Sequence, residues 1–267
     1  MRLSRFLNYL LAFLFALWVV LPIYLLAVLA LSERSAVFAY PKPLYPQPLS
    51  VETLWRFLEV PGVVKALGNS VLVAGLTMLL SLLLGAPAGY ALARYRFRGA
   101  DFFRILVIFT RAFPLAILAV PLAVHFIRMG LYDTPLGVAL VHTALALPFA
   151  VLVTYSLFVS IPKELEEAAW TLGCTKTQAF FRVVLPLTLP GLAAVGIFAF
   201  IISWNEVFAA TILTLRERTL TALLLNLLHD SPLPFRFAGG FFLVLPALLL
   251  IFLVRRRLLT LWGVASR

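Results

Sequence analysis

Few residues in this chain have the types and spacing that chemistry on a substrate requires. The three histidines, His125, His142 and His229, lie far apart, with no Cys or carboxylate at metal-ligand spacing. Cys174 is the single cysteine, which excludes an intramolecular disulfide framework. No G-x-x-x-x-G-K-[ST] phosphate loop occurs, so the chain lacks the usual means of holding ATP. No Ser-His-Asp constellation follows from spacing. The expectation is therefore no catalytic residue, no metal and no cofactor.

Charged side chains do cluster usefully in Ile161 to Gly191, IPKELEEAAWTLGCTKTQAFFRVVLPLTLPG. Pro162 suits the first helical position, where a missing N–H costs nothing. Glu164, Glu166 and Glu167 then fall where the helix dipole favours carboxylates. Leu165, Ala168, Ala169 and Leu172 recur at i, i+3, i+4 and i+7, which predicts one apolar face. Gly173 sits where a helix ends on a left-handed residue. Isolated helices under ~12–15 residues are marginal in water. Docking in a groove on a partner would supply the missing stability. An amphipathic helix resting on the membrane is the alternative, but such helices usually carry Lys and Arg, and this one carries mostly Glu.

The elements around this stretch are apolar runs. Of 267 residues, 63% are hydrophobic and 12% charged, against roughly 25% charged in soluble domains. The chain reads as an all-α, polytopic membrane protein. Spans of about 20 residues or more are expected near 9–31, 67–93, 105–127, 136–159, 189–213 and 239–254. The first is read as a retained span, being too long for a signal-peptide core and without a small-residue cleavage site. Residues 32–66 hold Pro41, Pro43, Pro46, Pro48 and Pro61, which predicts extended and turn structure. A short apolar helix, LTALLLNLLH, is expected within 214–238. The net charge of +11 does not indicate nucleic acid, because the basic residues sit in short loops between apolar runs. Arg2, Arg5, Arg94, Arg96, Arg98, Arg104, Lys163, Lys176, Arg182, Arg255, Arg256, Arg257 and Arg267 fall on one side. Arg34, Lys42, Arg56, Lys65, Arg128, Arg216, Arg218 and Arg236 fall on the other, largely balanced by acids. The positive-inside rule therefore predicts that both termini and the 161–190 loop are cytoplasmic.

Glu167-Ala168-Ala169, Gly173 and Val183-Val184-Leu185-Pro186 resemble the EAA loop of ABC-transporter permease subunits. Gly68-Asn69-Ser70, Tyr90-Ala91-Leu92-Ala93-Arg94, Gly130-Leu131-Tyr132-Asp133-Thr134, Ser203-Trp204-Asn205-Glu206 and the tail Gly263-Val264-Ala265 resemble carbohydrate permeases of the maltose type, the smaller permease in particular. The chain departs at Leu172-Gly173-Cys174, where such proteins usually have Asp-Gly-Ala. The resemblance implies one permease domain over 1–267, in the plasma (inner) membrane, forming half of a pathway for a sugar or oligosaccharide. It implies a cytoplasmic coupling helix within 161–190, with Glu166, Glu167, Ala168, Ala169, Leu172, Gly173, Leu185 and Pro186 as ATPase-coupling residues. The implied partners are a second homologous permease, two ATP-binding cassette ATPases, an extracytoplasmic solute-binding protein and membrane lipid. Polyamine or amino-acid permeases share the EAA loop and stand as the alternative. A stand-alone secondary transporter would usually show more spans, repeats and intramembrane acids.

Four residues are candidates for the pathway or a gate: Arg111, Trp204, Asn205 and Glu206. Arg111 falls about seven residues inside the third span, where it must reach water, protein or a headgroup. Two readings of Glu206 stand open: a role at the permease interface or outer gate, or pairing with Arg216 or Arg218. His142 is expected to make an interhelical hydrogen bond. Gly85, Pro87 and Gly89 in the second span, and Pro114 and Pro121 in the third, mark either hinges along a pathway or close helix packing.

Overall fold

In a computed structural model, residues 2–227 and 231–261 are described, with the backbone alone for 2–5, 251 and 253–261. His229 and the tail 262–267 lie outside the described residues. Arg255, Arg256 and Arg257 are described as helical backbone only. The chain divides into two compact units, one within Met1–Val64 and Leu224–Leu248, the other within Lys65–Leu223 and Leu249–Arg267.

In the first unit, α1 (Arg2–Ala30) is a long apolar helix, followed by a 3-10 turn at Arg34–Val37. The Pro-rich segment is not all extended: α2 occupies Glu52–Leu58. Its sequence has the local support a short helix needs, an i,i+4 pair from Arg56 to Glu52 at 2.6 Å. Thr53 and Phe57, also i,i+4, are buried on one face. Phe57 stacks on Phe242 at 5.8 Å and meets Phe235 edge-on at 6.4 Å. Both partners belong to α12 (Leu233–Leu261).

The second unit carries most of α3 (Val63–Arg94), then α4 (Ala100–Phe109), α5 (Leu115–Arg128), α6 (Pro135–Val159), α7 (Glu164–Thr171), α8 (Lys176–Ala179), α9 (Leu185–Trp204), α10 (Phe208–Leu213) and the first half of α11 (Leu220–Leu227). Its core joins Val73 of α3, Phe126 of α5, Val138, Ala139 and Val141 of α6, and Leu213 of α10. Pro87 does not interrupt α3, which is continuous. Gly85 and Gly89 serve close packing of α3 on α6. A Cβ on Gly85 would lie 2.8 Å from Ala150 Cβ, and one on Gly89 would lie 2.6 Å from the Tyr155 backbone N. Thr154 Oγ1 uses the approach to donate to Gly85 O at 2.9 Å. Small residues admit close helix pairing in membranes for this reason.

Among the described residues, five helical runs are long and apolar enough to cross a membrane: Phe6–Ala30, Val63–Arg94, Pro135–Val159, Lys176–Trp204 and Leu233–Leu250. The expected third span is bent. Ala100–Ala112 and Leu115–Arg128 meet at 91°. Phe113 (φ −80°, ψ 118°) and Pro114 (φ −62°, ψ 124°) are extended at the break, as proline disfavours helix in the residue before it. The fifth span also differs from its expected 189–213. Its helical run starts at Lys176 and ends at Trp204, and α10 is a separate turn beyond it.

Candidate coupling helix and buried polar cluster

Arg94, in the last turn of α3, holds α7 in place. Its Nε pairs with Glu166. Its Nη1 donates to Phe158 O at 2.9 Å and its Nη2 to Ile161 O at 3.1 Å. These carbonyls belong to the end of α6 and the residues after it, where the helix leaves acceptors without intrahelical donors. Tyr90 Oη donates to the second Glu166 oxygen at 2.7 Å. The Tyr90 ring meets Phe158 at 5.3 Å and Phe180 at 4.7 Å. The two ionised side chains are only 7% and 4% exposed, so they are bound to each other rather than offered to a partner.

The expected single apolar face of α7 divides into two. Ala169 is buried beside Glu166, whereas Leu165, Ala168 and Leu172 are exposed, Leu172 at 86%. Glu167 is exposed as well. Successive residues turn by about 100° around a helix axis, so a shift of one position takes a side chain from one face to another. Glu166 and Ala169 therefore face into their own chain, while Glu167, Ala168 and Leu172 face away from it.

Gly173 has φ +87°. Cys174 N–H donates to Ala169 O at 3.0 Å and Gly173 N–H to Trp170 O at 2.9 Å, which is the Schellman termination. A capping box then opens α8: Gln178 N–H donates to Thr175 Oγ1 at 3.2 Å and Thr175 N–H to Gln178 Oε1 at 2.9 Å. The T-x-x-Q spacing carries that signal in the sequence.

Leu185 and Pro186 lie within the helical run of the fifth span rather than in a loop. A π-helical turn at Phe180–Val184 precedes them, with Leu185 N–H donating to Phe180 O. Pro186 has no N–H to continue the i→i−4 ladder, and the widened turn falls immediately before it.

A buried polar chain joins α3, α6 and α9. Thr77 Oγ1 donates to Ser203 Oγ at 3.2 Å, and Ser203 Oγ lies 2.8 Å from His142 Nδ1. His142 Nε2 lies 3.0 Å from Glu206 Oε2. One assignment satisfies every member: Nε2–H donates to the carboxylate and Nδ1 accepts from Ser203. His142 thus makes the expected interhelical bonds. Glu206 also accepts from the Phe208 and Ala209 N–H groups at 3.0 Å and from that of Ala210 at 3.2 Å. It caps the start of α10 and pairs with neither Arg216 nor Arg218. Trp204 is buried and stacks on Phe200 at 5.9 Å. Asn205 is exposed and donates to Ile201 O at 2.9 Å. Arg111 is exposed in the turn before the α4–α5 bend, apart from this cluster.

At the end of the unit opposite α7, two of the sequence strings meet the 214–219 loop. Asp133 (φ +57°) accepts three backbone N–H groups on one oxygen, from Leu215 at 2.8 Å and from Arg216 and Glu217 at 2.9 Å. Desolvation pushes the Asp133 carboxyl up, but the Glu217, Leu215 and Arg216 amides together with the Arg216 charge outweigh it, and its pKa lies below the ordinary value. Glu217 is bound by Lys65 at 2.5 Å and Asn69 Nδ2 at 3.2 Å. Those two hydrogen bonds hold its pKa down. Ser70 Oγ accepts from Leu220 N–H at 2.7 Å. The sequence offered no signal that these strings converge.

Long apolar helices, with the short α7 clamped at one end of the second unit, mark a multi-span membrane component. Residues 81–259 match the family described as the binding-protein-dependent transport system inner membrane component, and the chain belongs to it. It is 35% identical over 206 residues to the ABC transporter permease protein ORF1 of Streptomyces antibioticus, covering 76% of this chain and 90% of that one. It is 33% identical over 200 residues to the trehalose transport system permease protein SugB of Mycobacterium tuberculosis, covering 73% of each. The fold is similar to a chain of a bacterial ABC transporter involved in the import of the acidic polysaccharide alginate, with TM-score 0.75, 23% identity and 96% of both chains covered.

Proposed function

We propose that this chain is the non-enzymatic, membrane-spanning subunit of an ATP-driven importer for a sugar or oligosaccharide. It works as one permease domain, completed by a second homologous permease, two ATPase subunits and an extracytoplasmic solute-binding protein. Membership of the transport family supports the importer class, and the trehalose permease among its relatives supports a carbohydrate cargo. The observation that carries the coupling role is the outward face of α7. Glu167, Ala168 and Leu172 are exposed on a helix whose inner face is locked by Arg94 and Glu166. A rigid short helix presenting small and apolar side chains beside an acid suits a groove with a basic rim. Gly173 keeps the helix short, and Leu185 and Pro186 act by stiffening the start of the next span.

The test uses the native thiol. Cys174, the single cysteine, follows α7 directly. A membrane-impermeant maleimide should label it in inside-out vesicles and leave it unlabelled in right-side-out ones. Leu172→Asp should leave the chain inserted while reducing co-purification of the ATPase and ATP hydrolysis stimulated by the binding protein. Labelling from the outer side, or unchanged recruitment, would overturn the coupling role.

A further inference from the structure

A basic cavity lies beside α7, where α3, α4 and α6 end or begin. It measures about 590 Å³ and is lined by Arg94, Arg96, Arg98, Arg104, Tyr155 and Lys163 among others. Asp101 is its one carboxylate, and that group already accepts from Arg104 Nη1 at 3.0 Å. Arg94 is committed to Glu166 and two carbonyls. Arg96, Arg98 and Lys163 have no acidic partner among the described residues. Arg104 lies over the Tyr155 ring at 4.4 Å, and its Nε is buried without a hydrogen-bond acceptor. A cavity with several uncompensated cations and an unused buried donor is built for an anion.

We infer that this cavity holds the phosphate of an anionic phospholipid headgroup. Three observations favour lipid over a soluble phosphate or a protein. First, Tyr155 lies four residues before the end of α6, about 6 Å along the helix axis, which is headgroup depth rather than bulk water. Second, α4 opens the cavity on one side and has no buried residue, with Phe102, Phe103, Ile105 and Leu106 exposed along it. That apolar surface gives acyl chains a place beside the charged pocket. Third, Arg96 and Arg98 are exposed, as long basic side chains are when they reach from a helix end to headgroups. Basic pockets between spans on the cytoplasmic side commonly select acidic lipids. The inference rests on the proposed orientation only for which leaflet supplies the lipid.

The experiment is lipid retention by the full chain, purified in detergent with the subunits that accompany it. Equimolar phosphatidylglycerol and phosphatidylcholine are added and the bound lipid is read by native mass spectrometry. The wild type should retain phosphatidylglycerol preferentially. Arg98→Gln should lower that preference by about fivefold, and Arg96→Gln with Arg98→Gln by about 25-fold. Both side chains are exposed, so neither change should disturb folding; Arg218→Gln at the opposite end should leave the preference intact. Equal retention of the two lipids, or a preference that survives both substitutions, overturns the proposal. Displacement of phosphatidylglycerol by millimolar inorganic phosphate, with no lipid preference remaining, assigns the cavity to soluble phosphate and also overturns it. So does loss of ATPase co-purification in the double variant with lipid retention unchanged, which would make the cavity a protein contact. The readout does not depend on orientation or transport, so its failure is separable from failure of the importer reading, which the Cys174 labelling tests.

Discussion

At the scale of residues, Arg94 and Glu166 do the most to position the candidate site. Both are nearly fully buried, and each would be an uncompensated charge without the other. Breaking such a pair from one side costs about 3–5 kcal/mol, whereas replacing both partners with well-packed apolar residues is often close to neutral. Glu166→Ala and Arg94→Ala should therefore each lower stability to chemical unfolding in detergent by about that amount. Arg94→Met with Glu166→Leu should lose less than either. Losses that simply add in the double variant would mean the two side chains act independently. Asp133 offers a different test. Its folded-state pKa is depressed, so its ionised form contributes stability above the unfolded pKa, and that contribution is lost as pH falls through the folded pKa. The gap in thermal midpoint between wild type and Asp133→Asn should be at full size near neutral pH and close in acid below the carboxylate range. A gap that persists there would place its origin in packing. The acids were visible in the sequence, but not their uses. Glu166 sits where a helix dipole welcomes an acid, and its partner is 72 positions away.

Among the elements, α7 separates what periodicity can give from what it cannot. The acids in the first turn and the stop at Gly173 are local matters, and local chemistry predicts them, but the helix opens at Glu164 with Lys163 as its N-cap rather than at Pro162. Which side chains face inward depends on Arg94 and Phe158, and four apolar positions over two turns do not reveal that. The two faces of α7 should respond differently to a large side chain. Ala169 is buried within its own chain and Ala168 is exposed. Forcing a large side chain into a packed site costs about 1–3 kcal/mol. Ala169→Trp should lower thermal stability in the absence of any ATPase, while Ala168→Trp should leave stability unchanged and weaken only ATPase recruitment. The reverse pattern would mean α7 turns its other face to the partner. Gly173→Val should cost about 1–2 kcal/mol, because its φ of +87° strains a side chain with a Cβ. The same limit explains the third span. Its apolar length and the break at Pro114 are legible in the sequence, but a right-angle bend depends on what α4 lies against.

Across the whole molecule, contacts at the two ends of the second unit bear on how the bent pair is counted. Arg94 at the end of α3 binds Glu166 of α7, so those residues share one end. Asn69 and Ser70 at the start of α3, and Asp133 before α6, all bind the 215–220 segment, so those share the other. The chain must then travel from Arg94 to Asp133 across the unit, and the only elements between them are the bent pair α4 and α5. We propose that this pair is one crossing despite its 91° angle. With α3, α6 and the Lys176–Trp204 run it would make four, and the runs Phe6–Ala30 and Leu233–Leu250 would bring the candidate spans among the described residues to six. The proposed cytoplasmic placement of α7 rests on the excess of arginine near Arg94, and insertion of reporters tests it. A reporter active only in the cytoplasm should work when inserted after Arg98 and fail when inserted after Met129 or Leu215. One that works at both Arg98 and Met129 would mean α4 and α5 dip into the membrane and return. The Asp133 contact with Leu215 would then require the 214–219 loop to lie inside as well, and a third insertion after Leu215 distinguishes that arrangement from a local failure of the fusion.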